Sequence, residues 1–206
     1  MARTLSRRES KDLTRRRLVE GAMSILRSEG VAAATTGRIA REAGIKQSSF
    51  YGHFADRDAC LSEVAETIGG YVLHNVRKHR GSWRIGDVRA SVQRGMSVVL
   101  DSFLIEPELT RIFLRHRTDD SALGRCFSEM VDTARTELER DLLASKICET
   151  EQEARVHAEL FVSATLGVVD GLISKRIDDR ESALTGLTNV VIAALGAALK
   201  REVSKR

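Results

Sequence analysis

The side chains best suited to chemistry in this sequence gather in one short stretch, Lys46-Gln47-Ser48-Ser49-Phe50-Tyr51-Gly52-His53-Phe54. Read as a helix, the stretch places Gln47, Ser48, Tyr51 and Gly52 on one face, at i, i+1, i+4 and i+5, opposite Phe50 and Phe54. The chemistry available there is recognition. A glutamine amide can pair bidentately with adenine, a serine hydroxyl adapts as donor or acceptor, and a tyrosine can touch a thymine methyl or donate to phosphate. Signs of catalysis are missing elsewhere. His53, His74, His79, His116 and His157 form no H-E-x-x-H or similar metal spacing, no Gly-rich phosphate loop is present, and no nucleophile motif surrounds a Ser or Cys. Cys60, Cys126 and Cys148 are odd in number, widely separated and without metal-ligand spacing among themselves, which argues against a disulfide scaffold and a zinc site. The expectation is no enzyme, no cofactor and no metal.

Such a face works only if rigid elements hold it. Apolar residues at Leu18, Val19, Ala22, Met23 and Leu26 predict a first helix from about Lys11, stopped by Gly30. Thr35 or Thr36 can cap a second helix that carries Ile39, Ala40 and Ala43 inward and ends at Gly44 after two turns. A third helix is expected from Lys46 or Gln47 to about Phe54. Asp56 can cap a fourth, with Leu61, Val64, Ala65, Ile68 and Val72 as its stripe, running to about Lys78. The stretch 79–86 reads as a connection. Helical patterns follow at about 87–105, 107–116, 121–147, 152–177 and 181–203, making nine helices and no strand-like alternation. The fold class is therefore all-α, in keeping with a single proline and 4% aromatics in 206 residues.

Charge is concentrated at one end. Residues 1–60 hold 12 Lys and Arg against 7 Asp and Glu, whereas the remaining 146 residues are close to neutral. That asymmetry suggests an anionic partner, nucleic acid before membrane, although a solvated charged face is the plain alternative. Arg3, Arg7, Arg8, Lys11, Arg15, Arg16 and Arg17 come without an apolar leader region, and nowhere do 18 apolar residues run together, so no export, no membrane partner and a cytoplasmic, reduced setting are expected. Two short helices around a glycine turn in a basic region have the geometry to lay one helix in a major groove while the other braces on the backbone. Any amphipathic α-hairpin has a polar face, however, and periodicity alone leaves both readings open.

The segment Thr35-Thr36-Gly37-Arg38-Ile39-Ala40-Arg41-Glu42-Ala43-Gly44-Ile45-Lys46-Gln47-Ser48-Ser49-Phe50-Tyr51-Gly52-His53-Phe54, followed by Asp56-Arg57-Asp58 and Leu61, closely resembles the DNA-binding domain of the TetR family. Thr14-Arg15-Arg16-Arg17-Leu18 and Ala22 through Gly30 resemble that family's first helix. The resemblance covers about residues 12–62. The polar, basic opening, without hydrophobic period, is expected to be a flexible arm over 1–11; the resemblance implies a helix-turn-helix DNA-binding domain over 12–62 with its motif at 35–54 and a helical ligand-binding and dimerisation domain over 63–206. It further implies that Thr35 and Thr36 contact phosphate, that Gln47, Ser48 and Tyr51 face the groove, and that Ser49, His53 and Arg57 hold the backbone. Lys46 suits either task. Gly37 and Gly52 depart from the long or bulky residues common in relatives, which shifts base reading to Gln47, Ser48, Tyr51 and an arm entering a minor groove.

The last two helical segments carry more apolar residues than one packed face needs, with Ala164, Gly167, Gly171, Ala193, Gly196 and Ala197 available for close approach. They look similar to the family's dimer-forming pair, and a homodimer would read both halves of a palindromic operator in double-stranded DNA. An intramolecular core is the alternative. The family typically binds a small-molecule effector, and Met96, Phe103, Phe113, His116, Arg117, Phe127, Met130 and Phe161 are the candidate lining, although residue by residue the apolar ones read more readily as core. Pro107-Glu108-Leu109-Thr110-Arg111-Ile112-Phe113-Leu114-Arg115-His116-Arg117, with Ser49-Phe50-Tyr51, more loosely resembles the family's regulators of unsaturated fatty-acid synthesis, which implies an acyl-CoA with its anionic head near Arg111, Arg115, His116 or Arg117; charged residues on a solvated helix face are the alternative. The function expected is a transcriptional regulator, a repressor modulated by a largely apolar ligand; the alternative is the same fold controlled by a protein partner or by no ligand.

Overall fold

The computed structural model describes residues 6–79 and 88–204, with side chains over 6–78 and 89–196. The described residues form nine α-helices and one short 3-10 turn, with no strand: α1 Arg7–Glu29, the 3-10 turn Val31–Ala33, α2 Thr36–Glu42, α3 Gln47–Phe50, α4 Arg57–His79, α5 Val88–Leu104, α6 Pro107–His116, α7 Ala122–Ala144, α8 Glu151–Ile173 and α9 Arg180–Ser204. The expected connection at 79–86 lies almost wholly outside the described residues.

Local chemistry accounts for the boundaries. α1 starts earlier than its apolar stripe suggested, because Ser6 and Glu9 close a capping box: the Ser6 hydroxyl accepts from Glu9 N at 3.2 Å and the Glu9 carboxylate from Ser6 N at 2.8 Å. Residues 7–11, expected in a flexible arm, are therefore the first turn of a helix, while residues 1–5 lie outside the described residues. Thr35 rather than Thr36 caps α2, accepting from Arg38 N. Asp56 and Thr150 cap α4 and α8, taking the amides of Ala59 at 2.8 Å and Glu153 at 3.1 Å.

The chain divides into two compact units, one of residues 1–69 and 111–128 and the other of 70–110 and 129–206. In the first, α1 packs on α2 and α2 on α3. Leu18, Ala22, Ile25 and Leu26 of α1, Ile39 and Ala40 of α2, and Phe50 supply buried apolar surface, while Phe113 and Phe127 meet edge-on at 5.2 Å. In the second, α5 packs on α8 and α9, and α8 on α9. The core there joins Val92, Leu142, Cys148, Ala154, Phe161, Val191 and Leu195. α8 is long and apolar enough to cross a membrane by length and composition. Its Ala154, Ala158, Phe161, Val169, Leu172 and Ile173 are buried within the fold, the ordinary place for a core helix.

Candidate nucleic-acid interface

The exposed face of α3 rests on two buried rings. Phe50 is fully buried and Phe54 nearly so, their centroids 5.6 Å apart. They pin α3 by its inner side, which leaves Lys46, Gln47, Ser48, Ser49, Tyr51 and Gly52 exposed on the outer one. Tyr51 stands edge-on to Phe50 with 56% of its surface exposed, so packing fixes its base while its ring and hydroxyl remain accessible. α3 is shorter than its expected span to Phe54. After Phe50 the chain tightens into i→i+3 bonds, Gly52 N to Ser49 O at 3.2 Å and His53 N to Phe50 O at 2.9 Å, so 51–53 form a turn.

The turn between α2 and α3 is set by Gly44, whose φ of +67° lies in the left-handed region where a side chain is strained. Ile45 N then reaches back to Ala40 O at 2.9 Å. Across this turn the Gln47 amide donates to the Thr36 hydroxyl at 3.1 Å, so two of the expected contact residues are joined. Thr35 and Thr36 stand at the N-terminal end of α2, where unpaired amides favour an anion. Gly37 belongs to the same arrangement. A Cβ built there would lie 3.3 Å from Gln47 Oε1, so the missing side chain makes room for the glutamine.

Two expected backbone clamps have structural partners. Arg57 donates to Ala34 O at 2.9 Å and Val31 O at 2.7 Å, tying the start of α4 to the 3-10 turn. His53 has its Nδ1 buried without a hydrogen-bond partner. Burial, together with the positive charges of Lys11 and Arg15, holds this imidazole below its ordinary pKa, so it is neutral at pH 7.

Arg15 was visible in the sequence only as one of three consecutive arginines. In the structure its guanidinium lies 4.1 Å from the centroid of the Phe54 ring, donates to the His53 carbonyl and pairs with Glu63. The signal that could have found it is helical phase, since Arg15 precedes Leu18, Ala22 and Ile25 on the buried side of α1. Arg38 was also passed over. It forms a two-pronged pair with Glu29, which lowers the Glu29 pKa and raises its own through charge-assisted hydrogen bonds.

The candidate effector residues fall in both units. In the first, Phe113 contacts Phe127, His116 Nδ1 is 2.7 Å from an Asp119 carboxylate oxygen, and Arg117 donates to the Leu114 carbonyl. In the second, Phe161 belongs to the buried core and Met96 packs against that core. Phe103 is buried, with its carbonyl accepting from the Thr110 hydroxyl at 2.5 Å, and Met130 is half-buried on α7. The structure thus brings together Phe113 with Phe127 and Met96 with the core of Phe161.

Residues 18–64 match the family model described as bacterial regulatory proteins, tetR family. Among solved structures, the fold is similar to a tetR-family transcriptional regulator from Streptomyces coelicolor, with TM-score 0.74 and 14% identity over 94% of this chain and 89% of the other. A TetR-family protein from Syntrophomonas wolfei aligns with TM-score 0.73 and 11% identity, over 89% of this chain and 96% of the other. A transcriptional regulator from Pseudomonas aeruginosa PAO1 gives TM-score 0.72 and 19% identity, over 96% and 95%. Residues 18–64 thus carry a helix-turn-helix of the kind that the tetR family model describes, and the chain as a whole has the fold of these solved regulators.

Proposed function

We propose that this chain is a cytoplasmic, sequence-specific DNA-binding transcriptional repressor that reads a palindromic operator as a homodimer and releases it when a small, largely apolar molecule binds outside the reading head. The observation that carries the reading is the outer face of α3. There Gln47, Ser48, Ser49 and Tyr51 are exposed together while Phe50 and Phe54 anchor the opposite side. In this assignment Gln47, Ser48 and Tyr51 meet base edges. Thr35, Thr36 and Ser49 meet phosphates, with Lys46 serving either role, and neutral His53 contributes a hydrogen bond rather than a charge. Arg57 acts mainly by holding α4 in place.

Dimerisation through α8 and α9 is supported by apolar residues left on their surfaces, Val156 and Leu160 on α8 and Val190 on α9, each about half exposed. An acyl-CoA effector is the finer proposal. Its support is the basic run along α6 and just past its end, where Arg111, Arg115 and Arg117 accompany buried Phe113 and Leu114.

Selection of bound fragments from a genomic DNA library tests the reading directly. The expected product is a short inverted repeat that binds the wild-type protein in the nanomolar range at stated salt. Tyr51→Ala should lose at least about tenfold in affinity, about 1.4 kcal/mol, while denaturant unfolding shifts by less than about 1 kcal/mol. A folded Tyr51→Ala protein with undiminished affinity would remove Tyr51 from the reading face. Titrating acyl-CoAs of several chain lengths into the complex tests the effector, and an unchanged complex with all of them removes that proposal.

A further inference from the structure

Where α7 turns into α8, three side chains of different chemistry converge. Cys148 lies in the turn, 4% exposed, as part of the core that includes Leu142, Ala154, Phe161 and Leu195. Glu153 and His157 follow on α8, four residues apart and therefore on one face. One thiol sulfur, one carboxylate oxygen and one imidazole nitrogen from these residues lie within 4.8 Å of each other, with Sγ of Cys148 3.9 Å from Nδ1 of His157.

The imidazole ring is held on three sides. Phe161 meets it edge-on at 5.9 Å, Nε2 is 3.1 Å from the Ala194 carbonyl of α9, and Nδ1 is 2.8 Å from the Glu153 carbonyl. A neutral imidazole has one N–H and cannot donate to both carbonyls. With Nε2–H donating to Ala194, Nδ1 keeps its lone pair, and a small ring rotation away from the Glu153 carbonyl presents that lone pair to a cation; with a proton on Nδ1 instead, the ring donates to the Glu153 carbonyl. A backbone carbonyl on the far ring nitrogen is also the support that metal-ligating histidines use to fix their tautomer.

We propose that Cys148, Glu153 and His157 bind one divalent transition-metal ion of the zinc class, through Sγ, a carboxylate oxygen and Nδ1. Sulfur with imidazole selects zinc, cobalt or copper over magnesium or calcium. Donor atoms about 2.0–2.3 Å from a shared tetrahedral centre stand about 3.5 Å apart, so the Sγ to Nδ1 separation closes with a small rotation of either side chain. On binding, the thiol gives its proton to solvent and ligates as thiolate. The Glu153 carboxylate is oriented by the Glu149 amide, which donates to Oε2 at 2.9 Å. Three protein donors leave the fourth position of a tetrahedron to water or to a small external ligand. Neither cysteine spacing nor histidine spacing taken alone reveals the set, because it reads Cys-x4-Glu-x3-His across a turn and a helix start.

The test uses the full-length chain, purified reduced and stripped with a chelator, then titrated with Co(II) and, in competition with a chromophoric chelator, with Zn(II). One equivalent of cobalt per chain with a thiolate-to-metal charge-transfer band is expected. Cys148→Ser should abolish the band, and Glu153→Gln and His157→Gln should weaken zinc binding at least tenfold. Cys60→Ser and Cys126→Ser should keep both band and affinity. Circular dichroism checks that each variant folds, and should Cys148→Ser fail, the surface-reaching Glu153→Gln carries the decision. Absence of stoichiometric binding, a band that survives Cys148→Ser, or NMR evidence that both His157 nitrogens stay protonated in excess zinc would each overturn the proposal.

Discussion

Gly37 shows how one missing side chain can shape recognition. Its place on α2 leaves room for Gln47 to lie across the turn and donate to Thr36, which orients the amide. Gly37→Ala would gain up to about 1 kcal/mol of helix propensity but push the flexible glutamine tip away from its 3.3 Å approach. The expected outcome is an equally or more stable protein with altered base preference at one operator position per half-site, read by repeating the DNA selection; an identical selected sequence would show that Gln47 does not read a base. His53 makes a second prediction at this scale. Its folded pKa lies below the unfolded value near 6.5, so as pH falls the unfolded chain takes up the proton first. Its contribution to stability is present above about pH 6.5 and is lost as the pH falls through the folded value. Urea unfolding at about pH 7.5 and pH 5 should show a shallower pH dependence in His53→Gln than in wild type, and equal slopes would assign the loss to other groups.

At the scale of elements, Arg57 illustrates the difference between a residue's type and its use. Arginine beside a helix-turn-helix reads as a phosphate clamp, but here the guanidinium holds the carbonyls of Val31 and Ala34. Arg57→Ala should therefore lower stability by about 1–2 kcal/mol, since a half-buried charge-assisted pair of hydrogen bonds is lost, and lower the melting temperature accordingly. A variant that melts like wild type yet binds DNA poorly would return Arg57 to the clamp role. Most elements were legible because local chemistry punctuates them: Gly30 and Gly44 at positive φ, Asp56 and Thr150 as caps, Pro107 at a helix start. The start of α1 was not, because a capping box in a polar segment has no apolar period to announce it. The end of α3 was missed for a related reason, since 51–53 keep a helical pattern of side chains while their backbone tightens. The exposed polar face of α3 was legible from spacing, whereas the partners of Arg15, Arg38 and Arg57 were not. Those bonds join residues 9 to 48 positions apart, which no local pattern encodes.

For the whole molecule, the proposed assembly can be separated from folding. Leu160 and Val190 are about half exposed, so placing charges there costs the single chain little. Leu160→Glu combined with Val190→Glu should give a folded monomer by light scattering at micromolar concentration, with operator affinity reduced at least tenfold because half-sites are then bound one at a time. A dimer that persists would move the interface away from these two helices. Within the first unit, one side chain has mechanical weight. Arg15 joins α1 to the Phe54 ring, the His53 carbonyl and the Glu63 carboxylate of α4. That linkage ties the turn after α3 to the opening turns of α4 through a single side chain. Under the proposed function, a tilt applied to those turns would re-aim Tyr51, and effector binding would then release DNA by changing the direction of the α3 face while leaving its own structure intact.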